Sequence, residues 1–131
     1  MTIKEDNAVK IALAVLELSL EDLRETGKKL STECNIKLAE ALIDEDLDFQ
    51  CGRTAADVRK FSSALNLWRD ARVFFVSPSS SLPVFCEVIG IDPGAVRAHL
   101  REECALPFNS MLASKAAGDY MLFRQRYANK S

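Results

Sequence analysis

"TAADVRKFSSALNLWRDARVFFV", residues 54–76, decides the fold class, because its ending "RVFFV" is the one place in the chain that competes for a β-strand. Val58, Phe61, Leu65, Trp68 and Phe75 fall at steps of three, four, three and seven. That spacing lines one side of an α-helix, whereas a strand requires alternation at every second residue. Phe75 continues the helical series through "RVFFV", so the whole stretch reads as helix. Thr54 as N-cap, with Asp57 three residues on, gives a capping-box-like start. The serine- and proline-rich "SPSSSLP" (77–83) ends it. Trp68 then belongs to the core and is not a platform for stacked bases. Arg59, Lys60, Arg69 and Arg72 decorate the other sides.

Upstream, residues 6–30 predict a first helix, with Asp6 or Asn7 as its cap. Val9, Ala12, Leu13, Leu16, Leu20 and Leu23 recur at helical steps, and Ile11, Val15 and Leu18 widen the stripe. A helix apolar on two sides meets two neighbours or a second subunit. Glu17, Glu21, Asp22 and Glu25 form its polar side, and Lys28 and Lys29 sit at the C-terminal end, where the helix dipole favours cations. Residues 32–47 predict a second helix, capped by Thr32 or Ser31, with Ile36, Leu38, Ala39, Leu42 and Ile43 apolar. "DEDLDFQCGR" (44–53) breaks it; without the ligand spacing and central glycine of a calcium loop, it reads as a solvated acidic loop.

Downstream, residues 82–89 and 93–104 predict a helical pair, and "LPFNS" (106–110) another break. Residues 110–128 predict a last helix capped by Ser110, with Met111, Leu112, Ala116, Tyr120, Phe123 and Tyr127 as its apolar side. Gly118 weakens it by about 1 kcal/mol relative to alanine. The chain is therefore expected to be all-α, a compact bundle of five or six helices. Its expected parts are an acidic N-terminal helical pair (1–50) for packing or dimerisation, a central core (54–104) and a C-terminal helix (110–131).

Composition narrows the function classes. The 131 residues are 48% hydrophobic and 27% charged, with a formal net charge of −2. No apolar run is long enough for a transmembrane helix, and the N-terminus lacks a secretory pattern, so a cytoplasmic protein without membrane partners is expected. Residues 1–50 hold six Lys/Arg and twelve Asp/Glu, and residues 51–131 hold eleven and seven. Cys34, Cys51, Cys86 and Cys104 form no C-x-x-C pair, and the single histidine, His99, has no partner at ligand spacing. No metal site is expected, and the cysteines read as buried small hydrophobes. The five glycines form no phosphate-cradling loop, so no catalytic residue and no cofactor is assigned and the chain is not read as an enzyme.

"FCEVIGIDPGAVRAHL" (85–100) carries the functional question. Cys86 precedes Gly90 by four, Ile89 and Ile91 flank that glycine, and Val96 follows by six, with Phe85 and Leu100 as outer packing positions. Gly90 suits the positive φ of a tight turn. Asp92 caps the next helix and Pro93 takes its first position. At these packing positions the stretch resembles the helix-turn-helix superfamily. With Trp68, Ala71, Phe75, Ser77 and Arg97 added, the pattern F-C-x-x-x-G-x-D-P-x-x-V-R is similar to small helical proteins encoded by bacteriophages and prophages. That resemblance implies a regulatory or accessory role.

The exposed positions point the other way. Recognition helices present Arg, Asn, Gln or Ser near their N-terminus. This one presents Asp92, Pro93, Gly94 and Ala95, and Glu102 and Glu103 follow. The resemblance implies a phage-type DNA-binding transcription regulator, dimeric to engage two half-sites. Its DNA contacts would be Arg59, Lys60, Arg69, Arg72, Arg97, His99 and Arg101, mostly to phosphates. The alternative is a helical protein-interaction module, an adaptor or inhibitor of a host protein, whose acidic N-terminal half meets a partner with a basic surface.

Overall fold

The computed structural model describes residues 3–44 and 55–129, with side chains for 7–44 and 56–122. Among these it is all-α: α1 (Ile3–Leu30), α2 (Glu33–Ile43), α3 (Ala55–Val76), α4 (Leu82–Ile89), α5 (Pro93–His99) and α6 (Ser110–Asn129). "RVFFV" is the last turn of α3. The expected acidic loop and the Thr54 cap lie outside the described residues. No helix among the described residues is long and apolar enough to cross a membrane.

The chain gathers into two compact units: Met1–Glu25 with Trp68–Ala105, and Thr26–Leu67 with Leu106–Ser131. Both long helices, α1 and α3, contribute to each. Val58, Phe61 and Leu65 on α3 are buried in the second unit, and Trp68, Ala71 and Phe75 in the first.

In the second unit, Thr32 caps α2. Its Oγ1 accepts from the Asn35 amide at 3.4 Å, and Asn35 Nδ2 donates to the Lys29 carbonyl at 2.7 Å. Glu33 in the first turn pairs with Lys37 at 2.9 Å, which holds the Glu33 carboxyl below its ordinary pKa. The helix is Glu33–Ile43, with the Asp44 amide donating back to the Glu40 carbonyl; the expected continuation over 45–47 lies outside the described residues. α2 packs against α6 through Leu38, Ala39, Ala41 and Leu42. The expected apolar side of α6 is met in part: Ala116 and Tyr120 are half-buried, and the side chains of Phe123 and Tyr127 lie outside the described residues. Ala113 and Ala117 are buried, while Met111 is 72% exposed and Leu112 half exposed. Small side chains let the two backbones approach, so α6 turns its alanines inward. Its cap is Asn109 rather than Ser110: Asn109 Oδ1 accepts from the Leu112 amide at 3.1 Å. Phe61 meets Phe108 with ring centroids 5.9 Å apart.

In the first unit, α1 begins at Ile3, so Asp6 and Asn7 lie within the helix rather than capping it. Acidic side chains suit a first turn, and nothing stops the helix there. Ala12 and Leu23 are buried, but Leu13, Ile11 and Leu18 are exposed. The carbonyls at the end of α3 are taken by Ser77 N (Val73 O, 2.9 Å) and Ser80 Oγ (Phe74 O, 2.7 Å). Phe74 packs edge-on to Phe75 and lies 6.1 Å from Phe85 of α4.

The corner between α4 and α5 follows the sequence reading. Gly90 has φ +88°, and the amides of Gly90 and Ile91 both donate to the Cys86 carbonyl, at 2.8 and 2.9 Å. Asp92 Oδ1 accepts from the Gly94 amide at 3.2 Å, and Pro93 opens α5. Cys86, Leu82 and Leu100 are buried, while Ile91, expected to pack at the corner, is exposed. α5 closes at His99, well short of residue 104. Leu100 turns into the core, the Cys104 amide donates to the Leu100 carbonyl, and residues 101–104 form a turn.

Two glycines give opposite outcomes for one substitution. A Cβ at Gly90 or at Gly118 meets no atom within 4 Å, so only backbone conformation differs. Gly90→Ala is expected to destabilise by about 1–2 kcal/mol, the cost of a left-handed L-residue. Gly118→Ala, inside α6, is expected to stabilise by about 1 kcal/mol. Urea denaturation midpoints check both signs.

Candidate functional site

The seven cationic or histidine positions expected to touch DNA fall in both units. Arg59 and Lys60 belong to the second unit, and Arg69, Arg72, Arg97, His99 and Arg101 to the first. Within the first unit two of them are committed to the fold. Arg97 Nε donates to the Phe75 carbonyl at 2.9 Å, placing a cation against the C-terminal end of α3, and its Nη2 is buried. Arg72 Nε donates to the Cys104 carbonyl at 2.9 Å and its guanidinium lies 6.0 Å from the Trp68 ring centroid. Arg69 is half-buried. His99 and Arg101 are exposed at the end of α5.

Acidic groups flank α5 at both ends. Asp92 is exposed at its start and Glu102 beyond its end, and Glu103 reaches Arg24 of α1 at 3.5 Å. α5 has only seven residues and buries none of its own side chains. Its N-terminal turn, Pro93, Gly94 and Ala95, offers no side-chain donor.

Two other surfaces stand out. The first is the outward side of α1 in the first unit. Ile11 and Leu18 are each 61% exposed, and Ala14 between them is exposed as well. Glu17, Glu21 and Glu25 recur at every fourth residue on the same side, all exposed. Steps of three, four and seven set these side chains in one stripe.

The second is a groove of about 750 Å³ in the second unit, where the end of α1 and the start of α2 face the first half of α3. Lys29, Arg59 and Lys60 line it, all exposed, with Asp57 as its carboxylate. Leu38, Phe61 and Leu67 supply apolar wall, and Thr32, Asn35 and Ser63 polar wall. Arg59 and Lys60 were legible as exposed cations of α3. Lys29 read only as a complement to the dipole of α1, because no linear spacing shows that three separate segments converge.

The three described cysteines divide by burial, Cys51 lying outside the described residues. Cys86 is buried and Cys104 half-buried, and burial pushes both thiols up, opposed in part by Arg97 and Arg72 respectively. Cys34 is exposed at the start of α2, contrary to the expectation of burial, because its position faces the groove. Comparison with protein-family models, curated proteins and solved structures returns no match.

Two outcomes follow from this geometry. Arg97→Ala is expected to cost about 1–3 kcal/mol, since it removes a charged donor from a partly buried carbonyl. Arg101→Ala is expected to stay within about 0.5 kcal/mol. Equal effects in chemical denaturation would remove Arg97 from the fold's support. With a thiol reagent at pH 8, Cys34 is expected to react first and Cys86 only on unfolding. A raised pKa leaves less thiolate, and burial blocks access. Peptide mapping of the labelled protein reads the order.

Proposed function

We propose that the chain is a helical protein-interaction module, an adaptor or inhibitor of a host protein, that offers the outward side of α1 to a partner with a basic, partly apolar surface. The observation that carries this reading is the exposed stripe of Ile11, Ala14 and Leu18 beside Glu17, Glu21 and Glu25. Exposed apolar side chains arranged on one face mark contact surfaces, and charge beside them selects the partner. Burying Ile11 and Leu18 supplies affinity, and the carboxylates supply orientation and rate. Pairing α1 with a second copy of itself sets these carboxylates near one another, so a basic partner suits the face better than a homodimer.

A helix-turn-helix DNA-binding regulator is the second reading, favoured by the left-handed Gly90 corner and the Asp92 cap. His99, Arg101 and the cations outside the first unit would then contact phosphates, and binding would fall steeply with salt. Arg97, the cation central to α5, serves the fold, and this weakens that reading.

The test is affinity purification from the native host with and without nuclease, using the intact chain and an Ile11→Ser, Leu18→Ser variant. The expected result is a nuclease-resistant protein partner whose recovery falls at least about tenfold in the variant, as for central apolar anchors. Circular dichroism should be unchanged, because both side chains are exposed. A mobility shift with genomic fragments at about 50 mM salt, abolished by nuclease and unaffected by the α1 variant, would favour DNA instead.

A further inference from the structure

We propose that the groove of the second unit binds an acidic, partly apolar peptide segment of a partner protein. This site shares no residue with the stripe of Ile11, Ala14, Leu18, Glu17, Glu21 and Glu25 and is opposite to it in charge. Among the described residues Lys29, Arg59 and Lys60 make no ion pair, and Asp57 is the one carboxylate on the lining. Glu33, the nearest acid in sequence at the head of α2, is paired with Lys37. The groove therefore presents excess positive charge beside an apolar wall.

Length and openness select the occupant. Asp57, Lys60, Ala64 and Leu67 follow one another at steps of three and four along α3, so the groove runs about 15 Å beside that helix at 1.5 Å per residue. Its lining is exposed at Lys29, Arg59, Lys60, Ser63 and Leu67, so a segment can enter from solvent. A helical segment of about ten residues matches it, with apolar side chains at every third and fourth position. Leu67, 45% exposed, and half-buried Ala64 accept those side chains, with Leu38 buried beneath them. The three cations then meet Asp or Glu at the flanking positions. A small ligand would leave much of such a trough unfilled. Nucleic acid would find one aromatic ring, Phe61, and that ring is buried, so no stacking surface is offered.

The experiment uses the full chain and a fluorescein-labelled peptide of about ten residues in which Asp and Glu alternate with Leu pairs at helical spacing. Three competitors accompany it: an Asp/Glu peptide spaced with Gly and Ser, the same apolar pattern with Lys, and an oligothymidine. The expected result is anisotropy-detected binding that weakens at least about tenfold in the Arg59→Glu, Lys60→Glu double variant, since charge reversal turns steering into repulsion. The peptide should also protect Cys34 from alkylation and leave Cys104 unprotected. Ile11→Ser, Leu18→Ser should leave this binding unchanged, so loss of the α1 reading and loss of this one are separable. Equal binding of the Gly/Ser-spaced acidic peptide would overturn the proposal, because charge alone would then suffice. Displacement by oligothymidine at lower concentration than by the peptide, or binding indifferent to the double variant, would overturn it as well.

Discussion

Everything else in the fold hangs on the buried seam of α3. Val58, Phe61, Leu65, Trp68, Ala71 and Phe75 run along one side of the helix through both compact units. The largest of them carries a penalty with its gain. Trp68 Nε1 is buried without an acceptor among the described residues, which costs about 1–3 kcal/mol. An indole removes about 150–250 Å² from water, worth about 4–6 kcal/mol at 25 cal/mol per Å². The apolar gain exceeds the polar loss, so the indole stays in the core. Once the seam faces inward, the rest of the helix is fixed: Arg59 and Lys60 are turned to the groove, and Arg72 to the turn at Cys104.

The end of α3 shows how the same constraint reaches the corner between α4 and α5. The last turn of α3 contains no basic residue. Its carbonyls are satisfied from the following chain, by the Ser77 amide, by Ser80 Oγ and by Arg97. "SPSSSLP" is thus both the terminator of α3 and its cap. Arg97 closes the circuit from α5, so the position of that short helix is tied to the end of the core helix by a charge-assisted hydrogen bond.

Local chemistry made most of the architecture legible from sequence. The α3 seam, the Thr32 cap, the positive φ of Gly90 and the Asp92–Pro93 start of α5 each depend on residues within a turn or two. What was not legible depended on distant neighbours. Apolar periodicity in α6 favoured Met111 and Leu112, yet α2 selected Ala113 and Ala117, because close helix approach rewards small side chains more than large ones. The extent of α5 depended on Leu100 finding the core and on Arg72 reaching Cys104. α1 was apolar on two sides in sequence, and only packing distinguishes the side that Ala12 and Leu23 bury from the side that Ile11 and Leu18 leave in water. The groove was invisible for the same reason: Lys29, Asn35 and Lys60 share no linear pattern.

The helix-turn-helix-like stretch separates geometry from function. Its corner has the left-handed glycine and the buried Cys86 and Leu100 of the packing pattern, while Ile91 stays exposed; that pattern constrains only packing positions, and other helix pairs meeting at such a corner satisfy it. Function depends on what the exposed side of α5 carries. A phosphate-binding helix needs its cations free to reach outward, because counterion release is the main source of affinity. Arg97 spends its guanidinium on the Phe75 carbonyl, and Glu103 draws Arg24 into an ion pair beside the turn. The remaining pair, His99 and Arg101, is flanked by Glu102 on the chain. The acidic stripe of α1 and the cations of the groove each lie beside exposed apolar side chains, Ile11 and Leu18 in the one and Leu67 in the other.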